Sequence, residues 1–154
     1  MYLDERAEFA DATALNTGAA GSYLVGDVMD LKGPTTAPNT LTELGGSELF
    51  LVIQVDTLPT SGGAATAAFS LASDAQAAIA VDGSQTEHFR TQAFTIAQMA
   101  AGTVLACVKL PYGNYERFMG VVQTTAVAAF TAGKINAFLT ADPAKWRALA
   151  DNVA

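Results

Sequence analysis

The stretch LFLVIQVDT, residues 49 to 57, is apolar at nearly every position, and the way it is buried decides the fold. In a β-strand successive side chains point to opposite faces, so Leu49, Leu51, Ile53 and Val55 share one face while Phe50 and Val52 share the other. A strand that is apolar on both faces is central in its sheet, or is covered on its second face by a partner. Phe50 and Val52 are therefore candidate contacts between copies of the chain. A second stretch, AATAAFSLAS at 64–73, alternates more cleanly. Ala67, Phe69 and Leu71 fall on one face, with Thr66, Ser70 and Ser73 elsewhere or at the edge, as a half-buried antiparallel strand requires, and Phe69 is expected to point inward.

Working outward from these two segments, turn signals rich in Gly, Pro, Asn and Ser recur along the chain: NTGAAGS (16–22), KGPTTAPNT (32–40), LPTSGGAAT (58–66), DGSQ (82–85), AAGT (100–103), PYGN (111–114) and TAGK (131–134). Strand-like segments lie between them, near 22–31, 48–56, 65–73, 76–81, 87–96, 103–110, 116–125 and 134–141. About eight short strands with little helix between them argue for an all-β antiparallel sandwich or barrel rather than a βαβ fold.

The ends read differently, dividing the chain into an N-terminal arm (1–15), a sandwich domain (16–141) and a C-terminal helical tail (142–154). In ADPAKWRALADNVA, Asp142 is placed as a helix N-cap and Pro143 at the first helical position, with Trp146, Leu149 and Val153 recurring on one side. That apolar side packs on its own domain or docks on another chain. The opening MYLDERAEFADATAL is a short helix or an extended arm with Tyr2, Leu3 and Phe9 as apolar anchors. Tyr2, Leu3, Phe9, Trp146 and Leu149 are thus the candidate partner contacts, since both ends are surplus to an eight-stranded core.

A chain of 154 residues fits one domain with a core of its own. No apolar run reaches the roughly 18 residues of a membrane span, and Asp4, Glu5, Arg6 and Glu8 interrupt the place where a signal peptide would be apolar. Neither membrane nor export is expected, and the chain stays where it is made or leaves by lysis. Fifteen acidic against eight basic residues give a net charge of −7, and the basic residues do not cluster, which argues against nucleic acid as a partner.

Chemistry is sparse. The single His88, in TEHFRT, cannot supply the several ligands of a metalloenzyme of the small-barrel type, and it reads as an ordinary strand residue. No nucleophile elbow, phosphate-binding loop or zinc-protease pair is present, so no catalytic residue, cofactor or metal is expected. Cys107, in TVLACVKL, has no partner for a disulfide and reads as a small buried hydrophobe. Asp4, Glu8 and Asp11 would share one side of a helix, where they read as a solvated charged face.

Several segments carry a resemblance when taken in order: MYLDERAEFADATAL, YLVGDVMDLKG, ELFLVIQVDT followed by GGAATAAFSL, and YERFMGVVQTT leading through FTAGKINAFLTAD. Together they resemble the tailed-phage capsid cement proteins of the Bordetella-phage cement family, with Thr131, Ala132, Gly133 and Lys134 at a turn as the most distinctive piece. The chain departs from the pattern at Ala10, where the family more often has a small hydroxyl residue, and in the longer tail at 143–154. The resemblance implies a jelly-roll sandwich on the outer surface of an icosahedral head, commonly a homodimer with a trimer as the other option, clamping neighbouring major capsid proteins. The expected function is that of a structural virion protein, made in the host bacterial cytoplasm, and not an enzyme. The alternative is a carbohydrate-binding or head-fibre module on the particle surface, which would present exposed aromatic rings.

Overall fold

The computed structural model describes residues 7–31 and 48–143. Nine strands account for most of them: β1 (Glu8–Ala14), β2 (Gly21–Asp30), β3 (Phe50–Ser61), β4 (Thr66–Asp74), β5 (Thr86–Arg90), β6 (Phe94–Thr95), β7 (Val104–Lys109), β8 (Phe118–Ala126) and β9 (Phe130–Thr140). One sheet has the order β1-β9-β3-β7 and the other β2-β8-β4-β5, with the two-residue β6 sharing the outer edge of β4 with β5. Every pairing is antiparallel. Setting β6 aside, eight strands remain, and each strand of the first sheet is joined at one end to the strand at the matching position of the second: β1 to β2, β9 to β8, β3 to β4, β7 to β5. That nested order is a jelly roll, two antiparallel sheets face to face.

Alternation fills the space between them. Leu51, Ile53 and Val55 from β3 meet Ala67, Phe69 and Leu71 from β4, with Met119, Val121, Ile135, Ala137 and Phe130 in the same buried cluster. The two segments that suggested the fold are therefore the middle strands of opposite sheets. β3 lies between β9 and β7, and Val52 on its other face is fully buried within the single chain, while Phe50 is half-buried. Val52 therefore offers no surface to a second copy, while Phe50 keeps part of its side chain accessible.

Residues 8–14 of the arm form a strand. β1 pairs with β9, and Phe9, 1% exposed, belongs to the main core. Its pairing slips twice, between Glu8 and Ala10 and between Ala10 and Thr13; the second slip holds Ala12, whose φ is +44° and whose N–H donates to Asn136 Oδ1 at 2.6 Å. Glu8 and Asp11 consequently lie on a strand and not on a helix. The expected turn at 131–134 is also absent: Thr131–Lys134 are inside β9, and the reversal falls at Val127–Ala129. Gly133, φ +131°, accommodates an irregularity where a Cβ would press on Pro59 and Leu15, and its carbonyl accepts the Leu15 N–H at 2.9 Å.

The segment 76–81 is a loop, not a strand. The Asp74 carboxylate takes the N–H groups of Gln76 and Ala80, at 3.1 and 3.0 Å, and so turns the chain back over the outside of the second sheet. There Ile79 packs with Ala72, Val122, Leu24 and Val28 in a small second cluster. Those backbone bonds hold the Asp74 carboxyl below the usual carboxylate range. Cys107 is exposed, because β7 is an edge strand whose inward positions are taken by Ala106 and Val108. Tyr2, Leu3, Trp146, Leu149 and the C-terminal helix lie outside the described residues.

Candidate functional site: the two ends of the sandwich

One end of the sandwich carries the charged groups. Arg117, entering β8, grips Asp30 at the end of β2 through Nε–Oδ1 and Nη2–Oδ2 contacts of 3.0 and 2.8 Å, and its guanidinium lies 4.7 Å above the Phe118 ring. Lys109 reaches Glu48 at 2.9 Å. These pairs are exposed and hold strand ends in register more than they add stability.

Beside them His88 on β5 ties three elements together. Its ring stacks on the buried Tyr115 at 3.9 Å between centroids, and its Nε2 lies 2.7 Å from the Oγ of the fully buried Ser73 on β4. That same Oγ accepts the Glu116 N–H at 3.1 Å, and the Tyr115 hydroxyl donates to the Pro111 carbonyl at 2.8 Å. A neutral ring with its proton on Nδ1 accepts from Ser73 while the hydroxyl oxygen accepts from the backbone; a protonated ring would make Nε2 a donor and displace the hydroxyl proton. Desolvation accordingly lowers the His88 pKa, with the Glu116 charge opposing it. A histidine held neutral stabilises the fold above its unfolded pKa of about 6.5, and this contribution is lost as pH falls from there toward the folded value. His88 is the chain's one histidine, so the melting temperature is expected to drop between about pH 6.5 and 5 in the wild type and much less in His88→Phe. Equal pH dependence of the two would refute the assignment. The loop that His88 anchors ends in Tyr112, 84% exposed.

Among the described residues, the connections at the other end hold no charged side chain. Four stretches, 12–26, 57–73, 91–108 and 118–133, have no Asp, Glu, Lys, Arg or His. The jelly-roll order brings their loops side by side: the β1–β2 loop, the β8–β9 turn, the β3–β4 loop and the β5–β7 connection. They are physically joined. Ser61 Oγ donates to the Ala129 carbonyl at 2.6 Å, a Cβ on Gly63 would touch Ala128, and a shallow hollow of about 220 Å³ lies between Gly63–Ala65 and Thr95–Ala97. The buried Gln123 secures the β1–β2 loop, accepting from the Asn16 N–H at 2.9 Å and donating to the Asn16 carbonyl at 3.1 Å.

The β8–β9 turn stands out. Val127 has φ +70° and the Ala128 N–H donates back to the Ala126 carbonyl at 2.9 Å, the three-residue γ-turn of positive φ. A β-branched residue in that region is strained, and Val127 is 75% exposed. Of the residues singled out from the sequence, Phe9 and Val52 are buried inside the domain and Phe50 is half-buried on the first sheet. Phe9 and Val52 belong to neither end surface, while Phe50 opens β3 opposite Lys109, beside the charged end.

A filled jelly roll with two chemically contrasting ends defines a class of compact β-sandwich. Within it the chain belongs to the Bbp16 family, a family of Bordetella phage proteins. The family model matches residues 9–139, from the second residue of β1 to the last but one of β9, and so spans the whole sandwich. Among curated proteins none matches the chain.

Proposed function

We propose that the protein is a structural virion protein that binds the outside of a bacteriophage icosahedral capsid and cements neighbouring major capsid subunits. The observation that carries this reading is membership of a phage protein family over the whole sandwich. A rigid, solidly packed domain suits the task, which asks for interface area and not for reactive groups. A protein that binds only the assembled shell stabilises it by mass action, and an interface of about 1,200–2,000 Å² repeated over many joints suffices. The protein works on the exterior of the head, as a homo-oligomer in which the dimer is the first expectation.

The test adds purified protein to DNA-filled heads lacking it. Saturable binding, with DNA retained at temperatures that burst bare heads, is the expected result, and absence of binding refutes the reading. The second reading, a carbohydrate-binding or head-fibre module, is favoured by one feature, the exposed Tyr112 ring at a loop tip. A glycan array separates the two: binding abolished by Tyr112→Ala would favour the second.

A further inference from the structure

We infer that the charge-free end of the sandwich is the face that seats on the capsid, against an uncharged protein surface of the shell; this rests on the cement reading above. The chain carries 23 charged residues for a net charge of −7, yet none falls in the four stretches that supply this end. Solvated loops ordinarily carry their share of charge, and depletion of charged residues is what marks the centre of a protein interface. Several exposed positions here are small, among them Ala64, Ala97 and Ala100, so a partner backbone can approach closely beside the hollow.

Val127 adds an independent observation. The strained γ-turn is not repaid by burial within the domain, since the side chain stands in solvent. Strain held at an exposed apolar tip belongs to sites where a partner makes the contact. Beside the joined β3–β4 loop, the hollow between Ala64 and Ala97 would receive an apolar side chain from that partner.

The character of the occupant follows from the same chemistry. A face without charge gains nothing from phosphates or from a charged partner. Stacking on sugars is disfavoured too, because the rings at this end, Tyr23, Phe94 and Phe130, are half-buried or buried. A flat, uncharged protein surface is what remains, with the charged end of the sandwich turned to solvent.

The experiment measures binding to heads lacking the native protein for the wild type, for Ala64→Glu and Ala97→Lys, and for Asn114→Glu on the charged end. Wild type and Asn114→Glu are expected to bind alike, with little change between about 50 and 500 mM salt. Ala64→Glu and Ala97→Lys should lose about tenfold or more in affinity without a fall in melting temperature. Val127→Asn separates docking from folding, because asparagine tolerates positive φ: it should melt at or above the wild type yet bind more weakly. Heads that bind the wild type and both charge variants equally would overturn this inference and leave the cement reading standing. Loss of self-association in those variants with unchanged head binding would overturn it as well, making the face a contact between copies. Failure of the wild type to bind would overturn the cement reading itself.

Discussion

Phe69→Ala is expected to destabilise the domain by about 3–5 kcal/mol, the range for deleting an aromatic side chain from a packed core. Phe69 is fully buried in the main cluster, in the middle of β4, and its strand is hydrogen-bonded on both sides, to β8 and to β5 and β6. Its own backbone is held by Thr91, whose Oγ lies 2.9 Å from the Phe69 N and whose N–H donates to the Phe69 carbonyl at 2.8 Å. Neighbours so fixed cannot collapse into the space left behind, which puts the expected loss toward the upper end. Urea unfolding of the two proteins measures it, and a loss below about 1 kcal/mol would mean that the two sheets do not pack through this residue.

Gly26→Ala is expected to be nearly as damaging for a different reason. Gly26 has φ +73° in the bulged part of β2, and a Cβ there would run into the carbonyl oxygen of Phe9 on β1. The left-handed backbone alone costs an alanine about 1–2 kcal/mol, and displacing a neighbouring strand adds about 1–3 kcal/mol. Gly62→Ala is the control: its Cβ would meet nothing within 4 Å, so stability should stay the same or rise slightly. Comparable melting temperatures for the two variants would refute the close approach of β1 and β2.

The middle of the sandwich could be read from the chain because there each sheet has one face turned to the core. β3, β4, β7 and β8 each put apolar side chains at alternate, core-facing positions, and the expected segments overlap them. β1 escaped because EFADATA holds three Ala, one Asp and one Glu, all poor strand formers, and because the bulge at Ala12 breaks its period. The segment 76–81 misled in the opposite sense: QAAIAV is apolar enough for a strand, but the Asp74 side chain captures its backbone. Gly133 read as a turn, although glycine serves a bulge equally well. The uncharged end was present in the sequence as four gaps between charges, yet nothing local says that loops from opposite halves of the chain lie together. Only the strand order supplies that.

That order also governs how the chain must reach its native state. β1 is joined to β9 and β2 to β8, so the Ala12 N–H finds Asn136 across 124 positions of sequence. The first sheet cannot close until β9 has left the ribosome, nor the second until β8 has, and the loop entropy lost in closing them is met by few earlier contacts. Folding on a timescale of about milliseconds to seconds follows. Until then β3 and β4, which await β9 and β8, present open, apolar edges to any other unfinished copy of the chain.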